Sequence, residues 1–173
     1  SLISLKETSL FSLHNNQIRT QVYQFQQKSI GKSRDDLLEF DWLKLLVRHR
    51  TNEPAGQYPM PENTLDKLNY QLKMRQDLAA NITPLKYLIA DRHNMKEYDF
   101  ELIGKVVLDT PMGKLNTLEL KRVRDADANR QTTIWLATDW DYLLVKIHQD
   151  ERNKSFDILM SEGELDGKAI AGL

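Results

Sequence analysis

The stretch from Lys96 to Ser161 constrains the fold most, because apolar and polar side chains alternate there with period two between short turn-forming segments. In Thr132-Thr133-Ile134-Trp135-Leu136-Ala137, Ile134 and Leu136 fall on one face of an extended chain, with Thr133, Trp135 and Ala137 on the other. Leu143, Val145 and Ile147 repeat the rhythm after Thr138-Asp139-Trp140-Asp141, whose two Asp suit a tight turn. These segments read as an antiparallel hairpin. The same pattern earlier predicts one hairpin over residues 9–13 and 18–25 and another over 37–42 and 45–49, with Gly31 in the turn between them. It also predicts strands over 85–89, 98–108, 118–124 and 156–160, with Gly104 a candidate bulge and Thr110-Pro111-Met112-Gly113 a turn.

One segment breaks this period. After a loop over Thr51–Pro61, crowded with Pro54, Gly56, Pro59 and Pro61, a helix is predicted over residues 64–80. Asn63 is its expected cap, and Asp66 its first-turn acid. Leu65, Leu68, Leu72 and Ala79 share one face, flanked by Met74 and Leu78. Such a stripe must lie against something apolar, and a sheet face is the large candidate. The predicted class is therefore mainly β, one principal helix packed on a curved antiparallel sheet. At 173 residues the chain is expected to form a single domain over 1–173, with the Gly-containing tail 162–173 frayed.

Chemistry is sparse by comparison. Lys plus Arg (24) nearly balance Asp plus Glu (25), so nucleic acid is not an expected partner. No apolar run reaches the roughly 18 to 20 residues of a membrane-spanning helix, so no span is expected. Without Cys, disulfides and thiol chemistry drop out. His14, His49, His93 and His148 lie in strands or turns without a nucleophile motif, so no catalytic residue is assigned. No cofactor is assigned either. Gly31-Lys32-Ser33 lacks the Gly five positions earlier that a phosphate loop needs, Gln26 standing there. Asp125, Asp127 and Asn129 have the alternation of a calcium loop, but Arg130 occupies the position of its Gly, so no metal is assigned.

Apolar surface is the remaining resource. Leu68, Leu72 and Met74 on the helix, with Trp135 and Trp140 on the hairpin, are the candidate contacts for an apolar ligand or partner. For stripe residues and Trp135, plain core is the simpler role. Trp140, in a turn between two Asp, is the best placed for an interaction surface.

From about Ser9 to Met160 the chain resembles the bacterial envelope proteins grouped as Domain of Unknown Function 3108. The resemblance rests on Glu39-Phe40-Asp41-Trp42, on Asp66-Lys67-Leu68 with Tyr70-Gln71-Leu72, and on Asp109-Thr110-Pro111-Met112-Gly113. Its most specific part is Thr133-Ile134-Trp135-Leu136-Ala137 followed by Asp141-Tyr142-Leu143-Leu144-Val145-Lys146. It implies periplasmic residence, further N-terminal strands in relatives, and a lipoprotein-carrier-like open half-barrel around an apolar cavity. It implies no catalytic residues. The function expected is non-enzymatic binding of a lipid or acyl chain, or of a partner's apolar segment. The alternative is a filled-core assembly module of the cell envelope.

Overall fold

The computed structural model describes residues 4–124, 129–152 and 154–172. Among the described residues, strands account for 65% beside one α-helix, which makes the mainly-β class plain. Among the described residues no sheet is closed or strongly curled. The chain divides into two compact units, 1–73 with 87–98, and 74–86 with 99–173.

In the first unit β1 (Ser4–His14), β2 (Gln17–Ser29), β3 (Lys32–Asp41), β4 (Leu46–Arg50) and β5 (Gly56–Pro59) form an antiparallel meander in chain order. Asn15 and Asn16 both take positive φ (48° and 65°) between the paired His14 and Gln17. That is the backbone a two-residue hairpin turn needs, and Asn tolerates it. The buried sides of these strands gather Tyr23, Leu38, Phe40, Val47 and Tyr58, with Met60 and Ala90, into one apolar core. The loop expected over Thr51–Pro61 is thus partly a strand. Tyr58 and Met60 supply buried anchors, and β5 is an edge strand paired only with β4, where Pro59 forfeits no ladder bond.

The helix, α1 (Tyr70–Ala79), starts later than the apolar stripe suggests. Thr64–Leu65 instead forms β6, paired in parallel with β7 (Leu85–Asp91) at Thr64↔Leu88 and Leu65↔Ile89. The capping residue is Asp66, not Asn63: its Oδ1 accepts from the N–H groups of Leu68 and Asn69, both at 2.8 Å. Asn69 returns its own Oδ1 to the Asp66 N–H at 2.9 Å, a reciprocal capping box closed by an amide. The buried helical residues are Met74, Asp77 and Leu78, spaced i, i+3, i+4. Leu72 is only half-buried, and Ala79 is exposed.

In the second unit the part of β8 (Asn94–Thr110) beyond Asp99 joins β9 (Gly113–Val123), β10 (Arg130–Ala137), β11 (Leu143–Glu151) and β12 (Lys154–Leu159), each antiparallel to the next. Gly113 turns the chain at φ 104°. The β10–β11 hairpin is present, and a bulge changes its faces. Trp135 pairs with Lys146 but Leu136 with Leu144, leaving Val145 as the extra residue. Leu143 and Val145 therefore join Leu115, Ala137 and Trp135 in the core, while Ile147 stands opposite Ile134. The strict rhythm through Leu143, Val145 and Ile147 does not hold.

The tail is not frayed. Glu164–Leu165 (β13) and Lys168–Ala169 (β14) make a small hairpin, Ile170 is 5% exposed in the second core, and the Gly172 N–H donates to the Met112 carbonyl at 2.7 Å. Asp125 and Asp127 of the weighed calcium loop lie outside the described residues.

Candidate functional site

The second unit carries a cleft of about 620 Å³, within the roughly 300 to 1,000 Å³ of small-molecule sites. One wall is the end of α1 and the turn after it, through Leu78, Asn81, Ile82 and Thr83. The other is β8 and β9, through Leu102, Lys105, Val106, Val107, Asn116, Thr117 and Leu118, with Thr138 and Tyr142 completing the lining. Ile82, Leu102 and Val107 are 49%, 52% and 54% exposed, so a concave surface is held open with apolar side chains.

The frame around the cleft is fixed by polar contacts that saturate its rim. Arg75 donates to the Asp141 carbonyl at 2.7 Å and to the Asp141 carboxylate, tying the helix to the turn that carries Tyr142. Asp141 and Tyr142 both sit in the left-handed region, at φ 53° and 55°. Asn116 donates its amide to Asp139 at 2.7 Å, Thr138 donates to the Asn116 carbonyl at 3.2 Å, and Thr117 donates to the Val106 carbonyl at 2.7 Å. Asn81, at φ 54°, and Ile82 turn the chain out of α1, their N–H groups donating to the carbonyls of Leu78 and Asp77.

The candidates drawn from the sequence lie elsewhere. Leu68 packs against the first unit's core, Leu72 is half-buried, and Met74 is 1% exposed. Trp135 and Trp140 pack against the second unit's core, where Trp140 Nε1 donates to the Ala171 carbonyl at 3.2 Å and Lys146 Nζ lies 4.8 Å from the Trp135 ring centre. None of the five lines the cleft. Its residues come from four separated segments, 78–83, 102–107, 116–118 and 138–142, and none carries a motif.

A family model described as Protein of unknown function (DUF3108) matches residues 2–161. The chain belongs to the DUF3108 family. No curated protein and no solved structure matches it. Among the described residues of this DUF3108 chain, no helix is long and apolar enough to cross a membrane, and no group of three or more His, Asp or Glu is placed to hold a metal ion.

Charged groups elsewhere in the DUF3108 chain pair with one another. In the first unit the Asp91 carboxylate meets the ammonium groups of both Lys67 and Lys96. Burial alone would raise its pKa, but the two lysine hydrogen bonds outweigh that and hold it below the ordinary value. His49 is lowered by burial and then by His93, whose ring meets it edge-on at 4.8 Å.

In the second unit His148 Nδ1 is 2.8 Å from Asp157 Oδ1, its cross-strand partner, and Nε2 is 3.2 Å from Asp150. The Asp157 hydrogen bond raises His148, and the same bond lowers Asp157. The raised His contributes stability present below its unfolded value of about 6.5 and lost as pH rises through its folded value. The lowered Asp contributes stability present above about 3.9 and lost as pH falls through its folded value. Both contributions are therefore present between those two unfolded values. An NMR titration should place the His148 midpoint above 6.5, and Asp157→Asn should lower it. A midpoint indifferent to that substitution means the pair does not form in solution.

Proposed function

We propose that this chain binds an apolar ligand, a lipid or an acyl chain, in the cleft of its second unit, in the periplasm and without reacting on it. The carrying observation is a concavity of about 620 Å³ whose exposed lining includes the four apolar side chains of Ile82, Leu102, Val106 and Val107. Water contacting those four side chains is displaced when a hydrocarbon enters, at roughly 25 cal/mol per Å² of apolar surface covered. Periplasmic residence and a carrier-like architecture rest on the resemblance to exported envelope proteins. The non-enzymatic part rests on the lack of a nucleophile motif in the sequence.

Nile red, a neutral fluorophore, should bind the protein and brighten, and Leu102→Asp or Val107→Asp should weaken binding about tenfold by setting a carboxylate in the apolar wall. Leu43→Asp, at a fully exposed site of the first unit, serves as control and should change nothing. Native mass spectrometry of protein purified from envelope extracts should show co-purifying lipid. A chain that neither carries lipid nor brightens the dye is not a lipid binder.

The alternative, an assembly module of the envelope, draws on β1. This strand lies at the edge of its sheet with Leu5, Leu10 and Leu13 exposed, a surface that another protein's strand could extend. Loss of envelope crosslinks in a Leu10→Lys variant, with dye binding intact, would favour it.

A further inference from the structure

We infer that the occupant of the cleft is a single-chain amphiphile with a carboxylate head, a free long-chain fatty acid, whose head pairs with Lys105. This rests on the reading of the cleft as an apolar ligand site and adds the chemical class. The bulge in β8 is the first ground. Leu102 pairs with Leu120 and Gly104 with Glu119, which leaves Ile103 as the inserted residue. Residues three apart on a regular strand point to opposite faces, but the insertion restores the alternation, and Lys105 comes to stand opposite Leu118 on the side of Leu102. A cation and an apolar side chain are thereby delivered into one cleft.

Charge is the second ground. Among the described residues Lys105 is the one charged residue of the lining, and no carboxylate lines the cleft. Two carboxylates beside the lining residues Thr138 and Tyr142 are engaged, Asp139 by the Asn116 amide and Asp141 by Arg75. Among the described residues no ion pair holds Lys105, as for several other exposed lysines, but Lys105 is the one that lines the cleft. An anion in the cleft meets the Lys105 ammonium and no carboxylate among the described lining residues. Size is the third ground. At about 30 Å³ for a water-sized group, a cleft of about 620 Å³ holds roughly twenty such groups, enough for one acyl chain with its head.

The test is competition for bound Nile red by palmitate, by cetyl alcohol of the same chain length, and by a zwitterionic lysophospholipid, all below their aggregation concentrations. Palmitate should compete about fivefold better than cetyl alcohol, because an ion pair at a solvent-accessible lysine is worth a modest factor. Lys105→Gln should abolish the difference and Lys105→Arg retain it, with circular dichroism confirming that each variant folds. Added salt should narrow the gap. Equal competition by palmitate and cetyl alcohol, or preference for the lysophospholipid, overturns the head-group assignment while leaving the apolar cleft standing. Dye that binds neither the parent nor the controls removes the cleft itself.

Discussion

Replacing Asp66 with Ala should destabilise the chain by about 3 to 5 kcal/mol, because one buried carboxylate carries both a helix start and a link to two distant strands. Asp66 is fully buried. Its Oδ1 accepts the two N–H groups that open α1, and its Oδ2 accepts the hydroxyls of Thr20, at 2.8 Å, and Ser9. Thr20 in turn accepts from the Asn69 amide at 2.6 Å, so the same Asn69 that closes the capping box also reaches β2. Losing the cap costs about 1 kcal/mol, and each buried group left without its partner costs about 1 to 3 more. Asp66→Asn should cost only about 1 kcal/mol, since an amide oxygen still caps the helix and a hydroxyl can rotate to accept from the amide nitrogen. Urea unfolding of the three proteins reads this out; a shift under about 1 kcal/mol for the Ala variant means that the network carries little of the stability.

The strands were legible because period two and turn chemistry are local. Asn15-Asn16, Gly31, Gly104 and Gly113 mark turns or a bulge where sequence places them. What escaped the sequence is set by distant partners. Nothing in Asp66-Lys67-Leu68-Asn69 tells that Thr64 and Leu65 leave the helix to pair with Leu88 and Ile89. The apolar stripe continued through Leu65, and a two-residue parallel strand has too few positions to show any period. The Gln-rich β2 gave no warning that Thr20 is wholly buried against a carboxylate 46 residues away.

The cleft was harder to see than the fold. Gly104 suggested a bulge, but which residue becomes the inserted one depends on the register with β9, and that register decides whether Lys105 shares a face with Leu102 or opposes it. Large apolar residues drew attention to Trp135 and Trp140, yet their size is what recruits them to a core. The exposed apolar part of the lining is medium-sized Ile, Leu and Val, which in sequence look like any strand interior.

Ile170→Ala should cost about 2 to 4 kcal/mol, a large effect for a residue in a segment whose composition reads as loose. Ile170 is buried against Leu115, Ala137 and Val145, and its N–H donates to the Gly163 carbonyl at 2.9 Å. Gly172 shows how closely the segment is laid down: a Cβ built on it would come within 2.4 Å of the Lys114 nitrogen and 2.6 Å of the Lys114 carbonyl oxygen. Gly172→Ala therefore cannot keep the bond from Gly172 to Met112 without moving backbone. Because Trp140 donates to the Ala171 carbonyl, both substitutions should shift Trp140 emission as well as stability. Hydrogen exchange supplies the sharpest reading, since a docked tail protects the Ile170 and Gly172 amides to a level set by opening of the second core. If those amides exchange as fast as an unstructured chain and Ile170→Ala leaves the unfolding midpoint in place, the segment is free in solution and the core of Leu115 and Val145 lies open to water.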